Sequence, residues 1–201
     1  VNLIQTFYIF QKAIADYHIL NSLEAPIQNP FPSKSIESLL YEKCWIDSMQ
    51  WHCEDEVRHP KIDAERIRFF KNRIDSLNQL RTNLVEQLDD YFLALFEHIQ
   101  YQSDAKLNTE SPAWAIDRLS ILALKIYHMR EEVERTDLSQ EQFQAYQQKL
   151  ELLLTQKLDL MEAIQQFLKS IEQGKTLFKV YRQVKMYNDA DLNPVLRAIK
   201  S

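Results

Sequence analysis

One glycine in 201 residues, Gly174, is the feature that most restricts the fold. Tight turns between strands and left-handed backbone positions are where glycine is the default residue. A β-rich or doubly wound chain of this length needs many of them. Neither a GxGxxG fingerprint nor a P-loop can be written with one. The sequence therefore predicts an all-α fold: an antiparallel helical bundle of about five long helices plus a short C-terminal helix, in a single domain over residues 1–201.

Helix punctuation divides the chain accordingly. A first helix is expected from about Leu3 to Leu20, followed by a proline-punctuated connector through Pro26, Pro30 and Pro32. Ser35 or Ser33 can cap a second helix that runs to about Arg58 and stops at His59-Pro60. Asp63 opens a third, unbroken to about Gln100. Ser111-Pro112 supplies an N-cap and an N1 proline to the fourth. Ser139 or Asp137 caps the fifth, which Gly174 ends, and a sixth is expected over roughly Lys175 to Met186. Short connections between long helices imply antiparallel neighbours.

Charge and cysteine usage exclude some classes. A net charge of −5 argues against general affinity for nucleic-acid phosphates. Cys44 and Cys53 fall on one expected helix roughly 13 Å apart, too far for a disulfide, so a reduced, cytoplasmic setting is expected. The most apolar run, Leu119 to Tyr127, is interrupted by Ser120 and Lys125 and is too short for a membrane span.

Chemistry is concentrated in three stretches that each place two metal-type ligands one helical turn apart. They pair His52 with Asp55, Glu86 with Asp89, and His128 with Glu131. If the three helices pack together, these six residues form a candidate metal site. Two imidazoles favour zinc, manganese or iron over magnesium. On the third helix Asp75, Asn78, Thr82, Glu86 and Asp89 share a narrow arc that continues into Leu93 and Phe96, which should be buried, so this polar stripe is expected to face inward. The fourth helix is apolar around its circumference yet carries Asp117, Ser120, His128, Glu131 and Arg135 along one line. Buried polar groups need partners, and Asp117 is expected to pair with Arg81 or Arg118.

Three segments have a familiar composition together: Trp45 to Arg58 with its Trp51-His52-Cys53-Glu54-Asp55, Arg73 to Asp89 with Asn78-Gln79-Leu80-Arg81, and Ser111 to Glu131 with Asp117-Arg118-Leu119-Ser120-Ile121. With Lys179 to Asp189, they make the chain closely resemble the bacterial "domain of unknown function 4254" family over nearly its whole length. Leu80 stands where that family usually has an aspartate. The resemblance implies a bacterial protein and no particular activity.

Two classes of function follow. The first is a metal-dependent enzyme acting on a phosphorylated or nucleotide-like small molecule. Known templates fit it incompletely: no ExxE precedes Glu86-xx-Asp89, no adjacent His-Asp pair occurs, and the histidine pairs reverse the Glu-x-x-His order of di-iron bundles. The second is a non-catalytic binding or adaptor protein whose polar stripes hold an anionic ligand or fix helix packing. Asn78, Arg81, Asp117, Arg118 and Lys125 are the candidate ligand-binding residues, expected to take a small anionic ligand. Lys175, Lys179, Arg182 and Lys185 lie on one side of the expected sixth helix and could receive phosphate, but read better as a solvated face. A third helix near 60 Å long could also support a homodimer.

Overall fold

The computed structural model describes residues 2–183 and 191–198, apart from the side chain of Leu196. It is helical in α1 (Leu3–Leu20), α2 (Ile36–Val57), α3 (Ala64–Phe96), α4 (Pro112–Val133), α5 (Gln140–Glu172) and the single turn α6 (Pro194–Arg197). Local side chains set the helix starts. Asn2, Ser35, Asp63, Ser111 and Ser139 each accept from a backbone N–H of the first turn, so otherwise orphaned donors are satisfied. At α5 the cap is reciprocal: Gln142 N donates to Ser139 Oγ at 3.2 Å while Ser139 N donates to Gln142 Oε1 at 2.9 Å.

The expected sixth helix is not formed in its described part. Gly174 takes φ +69°, a left-handed conformation, and the chain leaves α5 as the two-residue strand β2 (Thr176–Leu177). That strand pairs in parallel with β1 (Lys106–Leu107), matching Lys106 with Thr176 and Leu107 with Leu177. The following segment then lies along α3, where Arg182 Nη1 donates to the Glu86 carbonyl at 2.9 Å and Gln183 N donates to Glu86 Oε1 at 3.1 Å. These backbone and side-chain partners replace a helical ladder. Lys185, Met186 and the family-like residues through Asp189 lie outside the described residues.

One apolar cluster runs through α1 to α5. Phe10, Ile14 and Tyr17 of α1, Tyr41 and Trp45 of α2, Leu88 and Phe92 of α3, and Ile116, Leu119 and Leu124 of α4 have at most 1% of their surface exposed. Contacts place the helix directions. Arg66 pairs with Glu56 and Arg81 with Asp47, so α2 and α3 run in opposite senses. By contrast Cys44 lies against Phe10 and His52 against His18, so α1 and α2 advance together, the connector 21–35 returning the chain to the starting end. The result that matters for function is that the C-terminal halves of α1, α2 and α4 meet.

The third helix is turned differently from its polar periodicity. Its inward line is Ile74, Leu77, Leu84, Val85, Leu88 and Phe92. Leu93, expected inside, is 42% exposed, whereas Phe96 is buried. Asp75 faces out to Lys71 at 2.5 Å. Thr82 and Asp89 are buried, so only part of the stripe is interior.

Candidate metal centre

His18 lies in the last turn of α1, next to the buried Tyr17. Its Nδ1 is 2.7 Å from the Ile14 carbonyl oxygen. A carbonyl only accepts, so Nδ1 carries the proton and Nε2 of the neutral ring presents a lone pair. That Nε2 accepts a hydrogen bond from Nε2 of His52 on α2 at 3.1 Å, a proton that a bound metal would displace. On α4, His128 Nδ1 is 3.0 Å from Glu131 Oε2, which again directs the lone pair to Nε2. His128 Nε2 is buried and has no hydrogen-bond partner among the described residues. One ligand atom from each of the three imidazoles lies within 4.8 Å of the others.

The surroundings hold the rings in place. Tyr17 stacks on His52 with centroids 5.3 Å apart, Trp51 stacks on His128 at 4.8 Å, and Tyr127 lies 4.4 Å from His18. Two of the rings have an acceptor bonded at Nδ1, the Ile14 carbonyl for His18 and Glu131 for His128, while Asp55 lies 3.9 Å from His52 Nδ1, beyond hydrogen-bond distance. Such outer partners fix tautomer and orientation in metal-binding histidines. Burial pushes His52 below the ordinary histidine range, and the neighbouring His18 and His128 rings add to it. Burial also lowers His128, against the opposing pull of Glu131. Both are therefore neutral near pH 7, the form that ligates a metal.

Of the six expected metal ligands, the structure brings together His52 and His128, with Asp55 and Glu131 behind their rings. A residue three positions along a helix meets its own neighbour's Nδ1 more readily than a shared central point. Glu86 and Asp89 do not join them. Glu86 bonds to the segment after β2, and Asp89 lines a separate cleft with Ser111 and Trp114. Ser111 precedes His128 by roughly 25 Å of helical rise. The third imidazole, His18, is not among the ligands expected from the sequence. It has no carboxylate partner one turn away, and its only signal is its place beside the buried stripe Phe10, Ile14, Tyr17.

A second polar cluster lies farther down α2. Lys43 Nζ, wholly buried, is 2.5 Å from Asp47 Oδ2 and 2.7 Å from Asp117 Oδ1. Arg81 donates through Nε to Asp117 Oδ1 at 2.9 Å and through Nη2 to Oδ2 at 2.5 Å. Ser120 Oγ donates to Asp47 Oδ2. Two cations and two carboxylates balance, so each buried charge is offset. Lys43 and Arg81 hold the Asp117 carboxyl below the usual carboxylate range despite burial, whereas burial dominates at Asp47 and pushes it up. Asp117 thus has Arg81 as partner, with Lys43, while Arg118 pairs with Glu110 at 3.4 Å.

Three clefts adjoin along α4. One of about 390 Å³ contains Asp47, Trp51 and Arg81. One of about 540 Å³ contains Trp51, His128, Lys125 and Lys149. A third, about 770 Å³, contains Arg81, Asp117, Arg118 and Lys125. Four of the five candidate ligand-binding residues therefore line one groove system. Asn78, half-buried, instead accepts a hydrogen bond from Thr82 Oγ1 on its carbonyl.

The sequence profile of the protein of unknown function (DUF4254) family matches residues 37–180. The chain belongs to that family. No curated protein and no solved structure matches it. The match to DUF4254 contains His52, His128 and all of the Lys43–Asp47–Arg81–Asp117 cluster, whereas His18 lies before it. No helix among the described residues is long and apolar enough to cross a membrane.

Proposed function

We propose that this protein binds a divalent transition metal through His18, His52 and His128 and is a metal-dependent enzyme acting on a phosphorylated or nucleotide-like small molecule. The largely antiparallel helical bundle is its rigid support. The observation that carries the reading is the convergence of one ring nitrogen from each of three imidazoles within 4.8 Å, with Nδ1 of His18 and of His128 engaged by hydrogen bonds. Three protein ligands leave a coordination position for water or substrate, the arrangement of catalytic rather than structural zinc sites. An ion held there would supply Lewis acidity and activate water. Zinc, manganese and iron suit an imidazole set better than magnesium. Lys125 and Lys149 on the adjoining cleft supply cations for a phosphate.

Elemental analysis of protein purified without chelator or an affinity histidine tag tests the metal. Stoichiometric metal is expected, with a melting temperature that chelator lowers in the native protein and leaves unchanged in the His52→Ala/His128→Ala variant. Protein that carries no metal and ignores both chelator and added divalent ions overturns the reading. A screen of nucleotides and sugar phosphates then separates catalysis from the alternative, a non-catalytic binding protein. That alternative draws on the balanced Lys43–Asp47–Arg81–Asp117 cluster, which can serve packing alone.

A further inference from the structure

We propose that the cleft containing Asp47 and Arg81 receives the nucleobase of a nucleoside monophosphate, with the phosphate directed along α4 toward the three imidazoles. The phosphate end rests on the metal reading above; the base end does not. Asp47 is 3% exposed, yet its Oδ1 accepts no hydrogen bond among the described residues. Arg81 Nε lies 3.4 Å from it, in ion-pair but not hydrogen-bond geometry. Oδ2 already takes Lys43 and Ser120. A buried carboxylate oxygen that borders a cleft and lacks a donor is matched by a ligand that brings one. Exocyclic amino and ring N–H groups of a base are such donors.

The other walls select a planar ring. Gln50, one helical turn from Asp47 and on the same face, offers a donor and an acceptor to a heterocycle edge. Ile121 and Leu124 give an apolar floor, and Trp51 gives ring surface on which a base can stack. The volume of about 390 Å³ is within the range of small-ligand sites. Trp51 and Asp55 also border the neighbouring 540 Å³ cleft, which holds His128, Lys125 and Lys149. Asp47 precedes His52 by roughly 7.5 Å of helical rise, so a ribose joins the two clefts. A sugar phosphate would use Lys125 and Lys149 but leave Asp47 Oδ1 unmatched. A polyphosphate would crowd its charge against Asp55 and Glu132, which line the phosphate cleft, and this favours a single phosphate.

Calorimetric titration of the full chain with AMP, GMP, CMP and ribose 5-phosphate, with metal loaded and after chelator treatment, tests this. At least one nucleotide is expected to bind about tenfold or more tightly than ribose 5-phosphate in both forms. Gln50→Leu should weaken that nucleotide about tenfold and leave ribose 5-phosphate unchanged, consistent with the loss of hydrogen bonds in a desolvated site. Gln50 lies outside the buried ion cluster, so the variant is expected to fold. Asp47→Asn, where it folds, should act in the same direction. Equal binding of ribose 5-phosphate and all three nucleotides, no binding of any, or an unchanged preference in Gln50→Leu overturns the proposal. Metal content is read separately: bound metal without base preference removes the nucleotide assignment alone, and base preference without metal removes the metal reading alone.

Discussion

Lys43 constrains how α2 packs, because a wholly buried ammonium survives only with anions beside it. Asp117→Ala removes one of its two carboxylates and the bidentate partner of Arg81. A loss of about 3–5 kcal/mol in urea unfolding is expected, and a change under about 1 kcal/mol would show that the cluster does not hold the helices together. The histidines make a different prediction, about pH. His52 and His128 are depressed in the folded protein relative to an unfolded value of about 6.5. As pH falls the unfolded chain therefore binds protons first, so stability is fully present above about pH 6.5 and declines as pH drops through the folded values. In chelator-treated protein the urea midpoint should fall between pH 7.5 and pH 5. Part of that slope should vanish in the His52→Ala/His128→Ala variant; identical slopes would remove these rings as its cause.

At the level of elements, the helix ends carry the clearest expectations. Gly174 closes α5 at φ +69°, and a Cβ there would meet the Gln100 carbonyl oxygen at 2.5 Å. Gly174→Ala combines left-handed strain with a backbone clash, so it should cost more than about 1 kcal/mol and loosen the β1–β2 pairing, visible as faster amide exchange at Asn108, whose N–H bonds to Leu177. Unaltered exchange would mean that the strand pair does not depend on the turn. Ser139→Ala breaks the reciprocal cap of α5 and should cost about 1 kcal/mol in thermal or urea unfolding. Caps and breakers act within a few residues, which is why Ser111-Pro112, Ser139 and Gly174 mark helix boundaries in the sequence alone. The described part of the expected sixth helix, residues 175–183, is not helical for the complementary reason. Its polar sequence was equally compatible with pairing to β1 and α3, and those partners are distant in the chain.

For the whole molecule, the decisive event is the meeting of α1, α2 and α4 at their C-terminal halves. His18→Ala should therefore abolish stoichiometric metal as completely as His52→Ala, although His18 lies before the family-matched segment; retention of full metal content would reduce the centre to two imidazoles. Helix C-termini also carry partial negative charge, a field that favours a cation there. The sequence by itself determined the all-α class, through the scarcity of glycine, and where the long helices start, through local capping chemistry. It also marked His52, His128 and Asp117 as polar groups on apolar helices, because a periodicity of 3.6 residues reports which side chains share a face. Only the tertiary structure decided which faces meet. Rotation and order of packing are set by the fit of many apolar side chains against one another, a property no single segment encodes. That packing sent Glu86 and Asp89 toward the segment after β2 and toward Ser111, drew Lys43 between two aspartates, and brought His18 to complete a cluster that its own helix does not announce.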